Sequence, residues 1–521
     1  MEIPEADKFV EKNRAAVARQ RAKNEDTWRK LRESAQPEPE QWAPGVFDRK
    51  DFSSSSLPSS SSLTSPSSLS SFNPLSPPGL VGEVCDWINA QCRYPRPSLA
   101  VAAALTVVGN AGGLRHKDVK HGATGNLFCF CVAPSSTGKE AIAQAVYQLM
   151  RPVGLMKAVH GTFKSEQEVY RNLIRNQAAY YCVDEFGLML AKVINASQRG
   201  GASYLEGLVG LIMSAYSKAD GILTVAGDVK EAVREALLKE MAQVNAKIDR
   251  EGESDEVLAR KQDMDRDFEK VDDGITEPFL SLLGFTTPVT FDGLVTFEAA
   301  TNGFFSRALI FRESESNPPR REDFSSTPIP AHLEARLRML YAGGHSDTSG
   351  KIRRIGEFVE VTTTPEADAL LDEVYRYFYD RAEVHKMTSS LEAIPRRGLE
   401  MVAKLSFILA LEEGVRTVEH VRWAFEFMKV EIEAKIKMAY SEMNKDNKDA
   451  SVKLKAQQAR ILGILSKSPT KLGLIVNRCR GMEKAEVLAV LDSLVKAKLI
   501  REDTEEHAVT HRPYQVYLLA S

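Results

Sequence analysis

The sequence predicts an α/β fold. A phosphate-binding strand–loop–helix sits at its centre, with a helical lid after it, a small winged-helix domain at the C-terminus and a disordered linker ahead of it. Three observations predict this. An apolar, β-prone run from Asn126 to Val132 enters a short loop ending Thr137-Gly138-Lys139, and apolar residues at helical spacing follow at once. A second apolar run, Ala179 to Val183, ends on the paired carboxylates Asp184 and Glu185. Residues 453–521 carry three helical patterns and then two β-prone runs.

The loop comes first because its chemistry is narrow. Backbone N–H groups at a helix N-terminus cradle phosphate oxygens, and the helix dipole favours their negative charge. Ser135, Ser136, Thr137, Gly138, Lys139 and Glu140 are the candidate phosphate contacts, with Gly138 allowing close approach and Lys139 reaching the β/γ-phosphates. The pattern departs from G-x-x-x-x-G-K-[ST] twice: Ala133 stands at the first glycine, and Glu140 stands where a Ser or Thr would hold Mg²⁺. A chance Gly-Lys at a helix start is the plainer alternative. The Thr-Gly-Lys-Glu ending resembles the phosphate loop of bacterial enhancer-binding transcription activators, which are ATPases.

The carboxylate strand supplies the complement. Asp184 is the candidate Mg²⁺ ligand and Glu185 the candidate general base, which would polarise the attacking water. The plainer alternative makes Asp184 a helix N-cap. Downstream, Phe279 to Phe285 predicts a core strand with Thr286 and Thr287 at its tip, candidates for sensing the γ-phosphate between the two motifs; an ordinary turn before Pro288 is the other reading. Arg307 stands in an apolar setting, Gly303 to Phe311, where a guanidinium needs an anionic partner. In ring ATPases such an arginine reaches a neighbour's nucleotide as a finger. An internal salt bridge is the alternative, and Arg312 is the fallback finger.

Composition narrows the classes. A chain of 521 residues allows two or three domains, and a net charge of −3 gives no global field for nucleic acid, so any such surface is local. The six cysteines show no C-x-x-C pairing, which fits a reducing cytoplasm better than disulfides or zinc. No signal peptide opens the chain, and its most apolar run, Leu99 to Val108, is too short to span a bilayer. A cytoplasmic protein without a membrane partner is expected.

Along the chain, residues 1–37 predict a charged helical segment and 38–78 a Ser/Pro-rich disordered linker, with folded structure resuming near Gly79. Residues 79–325 predict the core. It is interrupted near 228–273 by two charged antiparallel helices that break at Glu251 to Ser254. That hairpin suits an oligomer arm, a DNA contact or a solvated coil. Residues 326–445 predict the helical lid, where Arg396, Arg397 and Lys404 are either phosphate contacts or solvated charges. Residues 453–521 predict the winged helix, whose Lys471, Arg478, Arg480, Lys484 and Arg512 could meet DNA phosphates. Glu483 and Glu486 at the start of its third helix suit groove reading poorly, and protein contact is the alternative.

Taken in order, the Pro-rich lead-in, the small-residue helix, Ser-Ser-Thr-Gly-Lys, Val-Asp-Glu-Phe-Gly, Leu-Leu-Gly-Phe-Thr-Thr-Pro and Gly-Phe-Phe-Ser-Arg resemble a family of phage- and prophage-encoded P-loop proteins described as replicative helicase-like or primase–helicase-like. The resemblance covers about Pro77 to Tyr440 and implies ATP and Mg²⁺, a homo-oligomeric ring and DNA, with replication proteins as further partners and a bacterial host cytoplasm. It places phosphates on Lys139, Mg²⁺ on Asp184, the base on Glu185 and the finger on Arg307. No primase module is visible. The expected core is a P-loop NTPase of the AAA+ or RecA-like branch, and the helices after Arg307 favour AAA+. The expected activity is an ATP-dependent DNA helicase or translocase. A replication initiator or helicase loader that hydrolyses ATP without unwinding is the alternative, and a regulator with a decayed nucleotide site is a third reading.

Overall fold

A strand that is apolar at every position must be covered on both faces. Phe128–Val132 (β1) is such a strand, with all five residues buried. In the computed structural model, residues 72–519 are described apart from 192–202, 253, 295–303, 314–317, 342–350, 355–356, 389–390, 467–469, 480–481, 498 and 507–512. Within them β1 joins Val159–His160 (β2), Ala178–Val183 (β3), Phe279–Thr286 (β4) and Ala308–Arg312 (β5) in one sheet of order β2-β3-β4-β1-β5. Every neighbouring pair is parallel. Side chains alternate faces along each strand: Cys129 and Cys131 enter one hydrophobic core, while Phe128, Phe130 and Val132 enter the other.

Helices make both outer layers. On the first face lie Gly79–Ala90 (α1), Pro97–Gly112 (α2) and Lys139–Val153 (α3). Buried at all but its first position, α2 lies deep in the molecule, and its run of small residues admits close neighbours. On the second face lie Glu166–Arg175 (α4), started by the Ser165 side chain accepting from the Glu168 N–H, and Ser203–Ser217 (α5). Chain order thus alternates strand and helix across a parallel sheet, the α/β class expected. No helix among the described residues is long and apolar enough to cross a membrane. All six cysteines are free and buried.

The charged hairpin forms as Gly227–Glu251 (α6) and Asp255–Asp273 (α7), turning through Gly252 at φ +83°. Its outer part has a small core of Val244, Val257 and Met264. Its base is tied down by buried acids: Asp267 accepts from Lys351 at 2.5 Å and from Lys270 at 3.3 Å, and Asp263 pairs with Arg353. Two short helices lie between β4 and β5 in the chain, Pro288–Asp292 (α8) and Phe304–Arg307 (α9).

The later helices are Ala331–Tyr341 (α10), Pro365–Thr388 (α11), Gly398–Ala410 (α12) and Val418–Leu465 (α13). Instead of enclosing a separate core, they share the first hydrophobic core with α1, α2 and α3. Helix α13 seals the sheet edge at β5: Glu431 accepts from the Ile310 N–H at 2.8 Å, and Lys435 donates to the Ala308 carbonyl at 2.5 Å. An edge strand left with free backbone groups invites unwanted pairing, and this buried Glu–Lys pair covers it.

Two expected boundaries move. Packed structure is already present at Phe72, the first described residue and ahead of Gly79: Phe72 and Leu75 pack on the first core while Pro74 and Pro77 are buried. The expected break between 445 and 453 is absent, since α13 runs unbroken into the C-terminal domain. There Ile461 and Leu465 of α13 pack with Leu472–Arg478 (α14), Lys484–Lys496 (α15) and an antiparallel sheet of Thr470–Lys471 (β6), Pro513–Leu519 (β8) and Ile500–Glu506 (β7), in that order. The charged segment 1–37 and the linker up to residue 71 lie outside the described residues, as do Arg480 and Arg512.

Candidate functional site

Ligands of open parallel sheets bind outside the carboxyl ends of the strands. At that end here, the loop leaving β1 and the turn leaving β3 stand on either side of β4. The register sets Val132 beside Thr286 and Val183 beside Gly284.

The loop turns with two left-handed residues, Ser136 at φ +60° and Gly138 at φ +93°. Such backbone concavities direct N–H groups toward an anion. Gly138 leads directly into α3, where Lys139 is the first residue. Ala133, the departure from the usual glycine, is buried and has no left-handed φ, so the backbone tolerates its methyl group. Ser135, Ser136 and Glu140 face solvent. Thr137 is turned inward, its hydroxyl donating to the Pro134 carbonyl at 2.6 Å, so its side chain shapes the loop.

Lys139 Nζ lies over this loop, donating to the Ala133 carbonyl at 3.0 Å and the Thr286 carbonyl at 3.1 Å. Burial pulls its pKa down, and the Asp184 and Glu185 carboxylates oppose that. All three side chains therefore share one electrostatic neighbourhood. Asp184 and Glu185 are exposed, with Glu185 at φ +53°, an uncommon backbone for a residue bearing a Cβ. Its N–H donates to Asp184 Oδ1 at 3.0 Å.

What holds that turn was missed in the sequence. Phe186 lies over Gly284 so closely that a Cβ there would meet its ring at 2.7 Å, and a Cβ on Gly187 would meet Thr286 Oγ1 at 2.0 Å. The Phe-Gly after the carboxylates and the glycine within β4 thus interlock, with Phe186 stacked on Phe130 at 5.2 Å. Thr286 stands between the two motifs, beside Val132 and against Gly187. Thr287 does not: its side chain accepts from the Thr290 N–H and caps α8, which is the ordinary-turn reading.

Arg307 is not brought to this site. It precedes Ala308, which pairs with Phe128 at the far end of β1, roughly 16 Å down the strands at about 3.3 Å per residue. There burial lowers its pKa and Arg397 adds to that, opposed by Glu400 and Tyr216. Within one chain, then, Arg307 cannot meet Lys139's ligand. Arg312, at the loop end of β5, is held in a two-pronged pair with Asp292 at 2.8 and 2.9 Å. Lys404 is no phosphate contact either: it is buried at the opposite end of the sheet, donating to Thr124 Oγ1 at 2.5 Å and Asn126 Oδ1 at 2.6 Å.

The second residue missed is Arg96, fully buried beneath the loop with Nε donating to the Thr137 carbonyl at 2.9 Å. The only sequence signal was an arginine between two prolines, Pro95 and Pro97.

The residues fit a nucleoside triphosphate with Mg²⁺: a concave loop, a lysine whose donors are spent on two carbonyls that a phosphate can replace, and an exposed carboxylate opposite. Among the described residues no group of three or more acids, histidines or cysteines could hold a metal alone. In the C-terminal domain, Glu483 and Glu486 form a reciprocal cap at the start of α15, which explains acids at that position. No protein-family model and no curated protein matches this chain.

Proposed function

We propose that this chain is a P-loop ATPase, an ATP-dependent DNA helicase or translocase of phage or mobile-element replication that hydrolyses ATP at the subunit interfaces of a ring. One observation carries the reading: the register brings the loop that bears Lys139 and the turn that bears Asp184 and Glu185 to either side of β4 at the carboxyl end of a parallel sheet, and the loop's backbone turns through Ser136 and Gly138. Lys139 exchanges its carbonyl partners for phosphate oxygens, and Asp184 offers a carboxylate to the metal. Bound Mg²⁺ would neutralise charge on the phosphates. Glu185 orients water, Thr286 stands between the loop and the carboxylates, and Arg307 serves the neighbouring subunit's nucleotide. The C-terminal domain is read as a winged helix that places the motor on DNA.

A second reading has support in that domain. The exposed face of α15 carries Ala485, Leu488, Ala489 and Asp492 between Lys484 and Lys496, and β7 carries Arg501, Glu502 and Asp503. A weakly apolar face of mixed charge suits a protein partner better than phosphates, which favours an initiator or helicase loader with the same ATPase.

The test is steady-state ATP hydrolysis with and without single-stranded DNA, for wild type and Lys139→Ala. DNA-stimulated turnover that the substitution abolishes is expected. Absence of turnover in the wild type with DNA present would sink the ATPase. Turnover without strand displacement would leave the loader.

A further inference from the structure

Arg96 sits at the start of α2, just ahead of Pro97, with 0% of its surface exposed. A buried guanidinium is costly unless its charge and its fork are both used. Its Nε bond goes to the Thr137 carbonyl, immediately before Gly138. From the same segment Tyr94 presses on the loop: its Cβ and carbonyl oxygen lie 3.5 Å from where a Cβ on Gly138 would stand. The other side of this underlayer is also braced. Glu313 donates its N–H to the Val132 carbonyl at 2.9 Å, extending the ladder to the last residue of β1 before the loop, and its carboxylate accepts from the Ser98 N–H at 2.8 Å. The arginine's charge also reaches Lys139, whose ammonium it pulls down in pKa.

In a trans peptide the carbonyl and the following N–H point to opposite sides of the chain. A Thr137 carbonyl held inward therefore turns the Gly138 N–H outward, to the mouth of the loop. We propose that Arg96 is a positioning residue for the phosphate loop: it locks the 137–138 peptide with its N–H toward the phosphate and adds a fixed positive charge beneath Lys139. This rests on the nucleotide-binding reading above, and it deepens that reading.

The experiment measures Mg-ATP binding and steady-state hydrolysis for full-length wild type, Arg96→Gln and Arg96→Lys, with the melting temperature of each. Loss of one charge-assisted hydrogen bond to the loop predicts Kd and KM raised about tenfold or more by Gln, with kcat within about threefold of wild type. Lys keeps the charge and a donor and should fall between. A purely structural role would lower the melting temperature without splitting KM from kcat. A Gln variant with wild-type Kd and KM overturns the proposal, and so does one that loses kcat alone. If Gln fails to fold, the Lys variant decides, and wild-type Kd there overturns it. A wild type that binds no ATP removes the nucleotide reading itself, and the proposal falls with it.

Discussion

Lys139 donates to two backbone carbonyls, from Ala133 and Thr286, so it is held in place before any ligand arrives. A pre-placed ammonium loses less freedom on meeting phosphate than a solvated one. Glu185 is held in the same spirit, in a left-handed turn that the interlocked Phe186, Gly187 and Gly284 enforce. Both residues were legible in the sequence because strand, loop and acid pair are local patterns. Arg307 was legible only as an arginine in apolar company, and its place far from its own loop means that the proposed finger would need two subunits. The expected result follows: Arg307→Ala lowers ATP turnover by roughly 10³–10⁵ while leaving binding to the isolated chain near wild type. Steady-state rates and equilibrium binding check this, and normal turnover would end the finger reading.

At the scale of elements, helix α12 reaches the sheet through one charge. Lys404 is buried against Thr124 and Asn126, ahead of β1, with its ammonium 4.5 Å from the Tyr216 ring centre. Burial pulls its pKa down to about 8, against Glu400 and Asp220. The unfolded chain, with a lysine near 10.4, therefore holds a proton that the folded chain releases between about pH 8 and 10.4. This group's contribution to stability rises with pH across that window and is lost as pH falls through the folded pKa. Wild type should gain on Lys404→Met by roughly 1.4 kcal/mol per pH unit there. Denaturant melts of both at pH 7.5 and pH 10 test this, and a constant gap would refute it. Sequence periodicity marked α12 as amphipathic, but nothing local distinguished Lys404 from a solvated lid charge, because its partners lie about 280 residues away.

In the whole molecule, the two large cores and the residues packed on them reach no further than Tyr440 and Met438, while the third begins at Ile461. Helix α13 bridges them as one rod. A chain ending at residue 450 should therefore keep ATP binding and its main thermal transition, since no buried residue of the first two cores is removed. Calorimetry and nucleotide titration check this, and loss of the main transition would show that the C-terminal domain supports the core. The C-terminal fragment alone, with ten buried core residues among those described, lies near the size at which a single core is marginal.

What the sequence determined by itself was everything carried by short-range pattern. The alternation of apolar strands with amphipathic helices, the phosphate-type loop, the acid pair at a strand tip, the charged hairpin turning at Gly252 and the small C-terminal domain all rest on spacing within one element. Tertiary structure decided what depends on residues far apart in the chain. It placed β4 between the loop strand and the acid strand, so that Thr286 meets both. It sent Arg307 and Lys404 to the far end of the sheet, spent Thr287 on a cap, and made the lid helices part of the main core. It also set Arg96 beneath the loop. A buried charge's role depends on which distant carbonyl or carboxylate folding brings to it, and that partner leaves no mark in the local sequence.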